Sequence, residues 1–402
     1  MKAIILAAGG DNLPPFTSSR PKPMIHASGR YLLESTIEHL RTASVVDLIL
    51  VVGHQKERIV SYFGNGSRFG VRIAYVSQEE ERLGIGNALL QAEGRIHPGE
   101  NFLLVYGDVV TTGNIYLETL QSFNSFKAPV AAICLTPSAE AFGNVYLDDE
   151  MRITRLVEKP MQVGSGNYVL AGVFILPHRF FGGLNAAGAD MGKALSDLIE
   201  RDGLHSCIWE QDWVDVKNPW DILRANRMVM DTWHEAVVSD SAELRGWVHV
   251  NGPVRIEPGV KILSGTVIEG PCYLGSGTFV GNNVLIRPYT SIGPHSVIGY
   301  GVELKNCVLF GPTKVGRLSF IGDSVVGEGA NIGSGTVTVN INLDGTNVRA
   351  VVNGKTIETG MPKLGSFIGD GAAIGAGNTL LAGTVIRSGS IIAHHGTVPL
   401  EV

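Results

Sequence analysis

The sequence predicts two domains: an α/β domain on a mostly parallel sheet, then a parallel β-helix of six-residue repeats. Three observations predict it. Aliphatic residues recur at every sixth position from Val250 onward. Glycine numbers 51 in 402 residues and crowds the part after residue 250, against a usual share of about 7%. Before residue 235, apolar runs of strand length alternate with helical segments, the pattern of crossover connections between parallel strands.

The repeat reads Val250, Ile256, Ile262, Ile268, Leu274, Val280, Ile286, Ile292, Ile298 and Leu304, aliphatic at every step. After a slip in register it resumes at Leu309, Val315 and Ile321, and it returns as Ile368, Ile374, Leu380, Ile386 and Ile392. Neither the helical period nor strand alternation produces this spacing. Gly, Asn, Asp and Ser fill the positions between, where tight corners need positive φ. Each coil stacks its aliphatic residue on the next, so a continuous core forms along the axis. A β-sandwich would not hold one period through so many repeats. The polar stretch from about residue 338 to 363 breaks the period and reads as a loop leaving one coil.

Up to residue 235, segments 3–8, 48–52, 102–106 and 130–135 read as buried strands. Segments 31–41, 86–94 and 220–232 read as helices. The domains are therefore expected at 1–235 and 236–402. Ligands of such sheets sit beyond the carboxyl ends of the strands. The net charge of -6 argues against a general nucleic-acid binder. Cys134, Cys207, Cys272 and Cys307 are far apart and fit reduced thiols rather than disulfides or a zinc site. The apolar N-terminal run stops at Gly9-Gly10-Asp11, too short for a signal peptide, and no stretch is long enough to span a bilayer. A soluble cytoplasmic protein that binds no membrane is expected.

The first strand runs into Ala7-Ala8-Gly9-Gly10, where backbone N–H groups can approach a phosphate chain. Arg20-Pro21-Lys22-Pro23-Met24 follows. Together, L-A-A-G and R-P-K-P-M resemble the sugar-1-phosphate nucleotidyltransferase family. Further matches come in order: Gln78 before Leu83-Gly84-Ile85-Gly86-Asn87-Ala88, then Tyr106-Gly107-Asp108, Phe142-Gly143, Val157-Glu158-Lys159-Pro160 and Trp213-Val214-Asp215-Val216. The repeat resembles the left-handed hexapeptide β-helices of acyltransferases. The layout resembles archaeal bifunctional N-acetylglucosamine-1-phosphate uridylyltransferase/glucosamine-1-phosphate acetyltransferases. The implied fold is a Rossmann-like nucleotidyltransferase domain followed by a left-handed parallel β-helix, and β-helices of this kind are usually homotrimers.

The resemblance implies a reaction in which a nucleoside triphosphate (UTP or dTTP) joins a sugar 1-phosphate, of glucose or N-acetylglucosamine type, with release of pyrophosphate. It implies Mg²⁺ held by Asp108 and Asp215, Lys22 on the triphosphate, and the nucleotide along Ala7, Ala8, Gly9, Gln78 and Gly84. Gly143, Glu158, Lys159 and Asn167 would hold the sugar phosphate. In the β-helix, Arg287, Lys305 and Asn340 match residues that bind sugar in the acetyltransferase, with acetyl-CoA as cosubstrate if that domain is active.

Several positions depart from the family. Its Gly-rich loop carries an arginine, whereas Gly10-Asp11-Asn12-Leu13-Pro14-Pro15-Phe16-Thr17 has none. Ile85 replaces a threonine, Leu170 an asparagine and Lys217 a glycine. Arg317 stands at the proposed acyl-transfer base and Phe320 at a tyrosine; arginine is no base near neutral pH. His295, His394 and His395 are the candidates for a substitute base, and each reads first as an ordinary surface histidine. Two further functions therefore stand beside nucleotidyl transfer. One is a catalytically silent sugar-nucleotide-binding or scaffold homologue paired with an active paralogue. The other is an acyltransferase acting through the β-helix.

Overall fold

The structure is a computed structural model and describes residues 1–10, 13–78, 84–136, 143–158 and 168–401. It forms two compact units. The first holds Met1–Gly10, Pro21–Met24 and Leu32–Asp215; the second holds Asp11–Arg20, Ile25–Tyr31 and Val216–Val402. The helix Asp221–Met230 goes with the repeat because its apolar face is buried there and Asn226 bridges the Ser28 N–H (2.8 Å) and the Tyr289 carbonyl (2.8 Å).

In chain order the strands up to Asp215 are β1 (Lys2–Ala7), β2 (His26–Ala27), β3 (Arg30–Tyr31), β4 (Asp47–Val52), β5 (Arg72–Ser77), β6 (Asn101–Tyr106) and β7 (Val109–Thr111). They continue with β8 (Val130–Leu135), β9 (Gly143–Leu147), β10 (Ile153–Glu158), β11 (Tyr168–Pro177), β12 (His205–Trp209) and β13 (Trp213–Asp215). The helices are α1 (Leu32–Thr42), α2 (Lys56–Phe63), α3 (Gly84–Leu90), α4 (Ile115–Phe126), α5 (Phe180–Ala186), α6 (Met191–Asp202) and α7 (Asp221–Met230). The expected helix 86–94 stops at Leu90 and resumes as a 3₁₀ turn at Glu93–Arg95.

The sheet of the first unit runs β10-β9-β11-β6-β1-β4-β5, with β8 beside β11 and β12 beside β8. Strands β6, β1, β4 and β5 are parallel, and Ile4 pairs with both Ile49 and Leu104 in the centre. Strands β1, β4 and β6 are largely buried and apolar on both faces, as in a parallel sheet covered on both sides, whereas β5 at the edge has no buried residue. The other half departs from the mostly parallel expectation, since β11 runs antiparallel to β6, β8 and β9. Helix α1 buries Leu33, Thr36, Ile37 and Leu40, one face at helical spacing. Asn114 and Asp190 cap α4 and α6, accepting from the N–H groups of Leu117 (3.0 Å) and Lys193 (2.9 Å).

In the second unit, three parallel sheets of eight strands each form the walls of a β-helix. Each coil takes one repeat per wall, so that His249, Val267, Leu285 and Glu303 stack rung on rung. The slip seen in the sequence is a coil one residue short, where Val297 pairs with Lys314, and a second short coil follows, where Lys314 pairs with Asn331. The aliphatic series points inward: Ile262, Ile268, Leu274, Val280, Ile286, Ile292, Ile298 and Leu304 are all 0% exposed. Hydroxyls buried among them are satisfied by carbonyls of the next coil, as Thr266 Oγ1 donates to Gly281 O (2.9 Å). The polar break is more than a loop. Val325 pairs with Phe367 across it, and the excursion holds an antiparallel hairpin of Arg349–Val352 with Lys355–Glu358.

Within this unit, His26 stacks on Tyr31 (4.1 Å between centroids) and faces Phe310 (5.8 Å). Burial, and secondarily the Arg20 charge, hold its pKa down at about 3 instead of 6.5. Below about pH 6.5 the unfolded chain takes up a proton that the folded chain refuses. Stability from neutral His26 is therefore full above that pH and is lost as pH falls toward 3. Acid melting curves should fall less steeply across this window in His26→Gln than in the unaltered chain; parallel curves would remove His26 from the account.

Candidate functional site

In the first unit the parallel strands β1, β4, β5 and β6 all end at one edge, which gathers Ala7, Ala8, Gly9, Gln78 and Asp108 there. The backbone is close-packed: Gly107 N–H donates to Leu6 O (3.0 Å) and Gln78 N–H to Val52 O (2.8 Å). The Gln78 side chain is buried and its amide reaches Gly84 O at 3.5 Å. Gly86 touches the Ala189 carbonyl so closely that a Cβ would lie 1.9 Å from its oxygen, so α3 can pack here only with glycine. Ile85, the departure from threonine, is 46% exposed.

Lys22 and Asp108 meet directly. Lys22 Nζ donates to Asp108 Oδ2 at 2.7 Å, with the lysine nearly buried and the aspartate partly open. Lys22 sits in a 3₁₀ turn, Lys22–Met24, closed by Met24 N–H on Pro21 O (2.8 Å). Asp108 precedes β7, and β7 pairs antiparallel with β13 so that Asp215 lies opposite Val109. That ladder brings the two aspartates to one end, beside Tyr106. Burial first, then the charges of Asp108 and Asp215, push the Tyr106 hydroxyl pKa well up, so it stays a neutral donor.

Across from them, β11 carries the segment that includes Leu170. Gly172 has φ +79° and packs on the Tyr106 ring. Ala171 O accepts from Trp213 Nε1 (3.0 Å). Gly143 and Glu158 are the facing ends of the β9–β10 ladder. Lys159 and Asn167 lie outside the described residues, as do Asp11, Leu83 and Phe142. Lys217 falls in the second unit, where its backbone N–H caps the Asp221 carboxylate (3.1 Å).

Two carboxylates with an adjacent lysine suit a hard divalent cation that takes its remaining ligands from phosphate oxygens. No group of three or more His, Cys, Asp or Glu that could hold a metal occurs among the described residues. The two carboxylates fit a cation shared with a phosphate ligand.

In the β-helix, the matched residues are already engaged. Arg287 Nη1 pairs with Glu303 (2.9 Å). Lys305 (3.1 Å), Asn306 (2.7 Å) and Asn340 (2.6 Å) all converge on the buried carboxylate of Asp323. Asp323, with φ +49°, is the centre of this cluster; the repeat pattern assigns it only to a corner. Arg317 and its neighbour Leu318 are exposed. Phe320 lies over Gly322. His295 and His395 are corner residues at φ 56° whose rings lie over Gly277 and Gly377. His394 Nδ1 accepts the Ala376 N–H (2.8 Å).

Residues 2–232 match the nucleotidyl transferase family, and residues 268–361 match the GMPPB C-terminal domain. The bifunctional protein GlmU of Methanococcus maripaludis is 34% identical over 378 residues, which cover 92% of this chain and 88% of that protein. A bifunctional sugar-1-phosphate nucleotidylyltransferase/acetyltransferase of Sulfurisphaera tokodaii is 32% identical, over 92% of this chain and 90% of its own. In fold, a Bacillus anthracis protein assigned as a glucose-1-phosphate thymidylyltransferase, solved with sucrose, superposes with a TM-score of 0.53 at 21% identity. That superposition covers 57% of this chain and 95% of the other. The expected fold class stands: a Rossmann-like domain followed by a left-handed parallel β-helix. No helix among the described residues is long and apolar enough to cross a membrane. With its parallel-strand edge, paired Lys22 and Asp108, and a match from residue 2 to residue 232, the chain belongs to the nucleotidyl transferase family.

Proposed function

We propose that the protein is a sugar-1-phosphate nucleotidyltransferase, joining UTP or dTTP to a sugar 1-phosphate of glucose or N-acetylglucosamine type and releasing pyrophosphate. The observation that carries this reading is the Lys22–Asp108 contact of 2.7 Å at the strand edge, with Asp215 on the adjoining ladder. Asp108 and Asp215 would hold Mg²⁺. When bound, that ion supplies charge neutralisation for the triphosphate oxygens. Lys22, turned from Asp108, donates to the same oxygens. The backbone of Ala7, Ala8 and Gly9 offers N–H groups to the phosphate chain. Gln78, beside Gly84, reads the base. Gly143, Glu158, Lys159 and Asn167 orient the sugar phosphate so that its oxygen attacks the α-phosphate in line. Positioning and charge stabilisation are the whole of the protein's task, since no covalent intermediate is needed.

No acetyl transfer is assigned to the β-helix. Exposed Arg317 stands where a base is needed; of the candidate histidines, His295 and His395 are corner residues and His394 Nδ1 is taken up by the Ala376 N–H. Acetyl-CoA is therefore not counted among the substrates. The β-helix is read as the assembly domain of a homotrimer, and the protein as cytoplasmic, with no nucleic-acid or membrane partner. Incubating the full chain with Mg²⁺, UTP or dTTP, and glucose 1-phosphate or N-acetylglucosamine 1-phosphate should release pyrophosphate with at least one pair. Binding of a sugar nucleotide without pyrophosphate release from any pair would favour the silent homologue, for which Ile85, Leu170 and the missing loop arginine speak.

A further inference from the structure

The first unit has a second cleft, at the sheet edge opposite the candidate site. Strand β6 starts there with Asn101 and ends at Tyr106 beside the two aspartates. Strand β11 runs the other way, so its last residue, Pro177, pairs with Asn101 at the same edge. The cleft encloses about 450 Å³, and every residue lining it belongs to the stretch Leu32–Asp215. Its size suits a small molecule. Phe123 and the buried Pro129 and Pro177 supply its apolar surface.

The polar lining is mostly cationic. Arg179 is held in place by Asp202, with Nε on Oδ2 and Nη2 on Oδ1, both at 3.1 Å. That side-on grip leaves Nη1 for another acceptor. Glu100 accepts the His97 N–H (3.1 Å) and lies 3.7 Å from Lys2 Nζ. Each of these two carboxylates therefore has its own cation. Among the described residues no carboxylate pairs with Lys127, whose ammonium is the charge left over in the cleft.

Lys127 is also an unexpected residue for its place. It closes α4 at φ 54°, with its N–H on Phe123 O (2.8 Å). Glycine is the residue that a left-handed helix cap favours. The cap uses only the backbone of Lys127, so the side chain adds nothing to it and makes the conformation harder to hold. A lysine at a helix carboxyl end does offset the helix dipole. That role and a ligand role predict different outcomes when the side chain is removed.

We propose that this cleft binds a small phosphate ester, with the phosphate on Lys127 and Arg179 and the organic part against Phe123, Pro129 and Pro177. A planar guanidinium beside a mobile ammonium matches phosphate oxygens. Asn101 and His178 add an amide and an imidazole for ligand hydroxyls. A sugar phosphate and a nucleotide both carry this chemistry.

The test is calorimetric titration of the full chain with glucose 1-phosphate in one arm and UMP in the other, both without Mg²⁺. At least one arm should show a binding event that Lys127→Gly and Arg179→Gln each weaken about tenfold. Response in the first arm marks a sugar phosphate, and response in the second a nucleotide. Binding at the candidate site is left alone by both changes, which separates the two sites. Lys127→Gly should hold or raise the melting temperature, because glycine adopts this φ freely. No event in either arm, or affinities within twofold of the unaltered chain for both probes in both variants, would overturn the proposal. A lowered melting temperature in Lys127→Gly would then leave Lys127 as a helix-end charge alone. The readout is binding, so the outcome is independent of whether the chain releases pyrophosphate.

Discussion

Asp108→Asn is expected to lower kcat/KM for pyrophosphate release by about three orders of magnitude, with a similar loss in Asp215→Asn. The change is nearly isosteric. It removes one negative charge from a position that serves a cation and, without one, pairs with Lys22 at 2.7 Å. Stability should change little, because the Asp108 side chain is 29% exposed and a partly open ion pair is worth about 0–1 kcal/mol. The combination is what discriminates. A fold-supporting aspartate would lose melting temperature and activity together, whereas a metal-site aspartate loses activity with its melting curve intact. Activity within tenfold of the unaltered chain in both variants would sink the assignment of these carboxylates.

Ile298→Ala is expected to destabilise the β-helix by about 2–5 kcal/mol. Ile298 is 0% exposed and stacks between Val280 and Val315 along the inner column. Its removal leaves a cavity flanked above and below by other coils, which cannot collapse without breaking their ladders. Ile391 is a ready control. It belongs to the same wall of the helix, eight strands long, but points outward and is 84% exposed. Ile391→Ala should stay within about 0.5 kcal/mol. Equal melting shifts in the two variants, measured at one protein concentration to hold assembly constant, would refute the inward and outward assignment.

The repeat was legible in the sequence because its code is local and redundant: one aliphatic residue in every repeat, matched by the buried rungs at Ile262, Ile268 and Leu274. Even the slip before Leu309 appears in the structure, as a coil one residue short, although a second short coil directly after it was missed. The hairpin inside the polar excursion was not legible. Its strands, Arg349–Val352 and Lys355–Glu358, are too short for periodicity to register. Strand β11 was missed for another reason. Its apolar run reads equally as a buried helix segment, and only pairing with β6 and β8 decides. At the candidate site, motif resemblance located Lys22 and Asp108 but not their contact. Partners such as Arg20 with Asp370, or Asp323 with Lys305 and Asn340, are set by three-dimensional stacking across coils. No spacing rule reaches across 350 residues of sequence separation.

The excursion leaves its coil after Val337–Thr338 and rejoins the helix at Phe367, which sits on Val325 in unbroken register. Geometrically it behaves as a cassette. The strand ladders of the coils keep one register on either side of it, while Val348 and Ala350 of the excursion are buried and Arg349 O lies against Gly383. Closure of a longer or shorter insert changes the entropy cost only slowly, by about 0.6 kcal/mol per doubling of length. A graft at this point, whether a reporter peptide, a metal-binding tag or a small folded module, would be displayed at a fixed height on a rigid column. The column itself would keep its register.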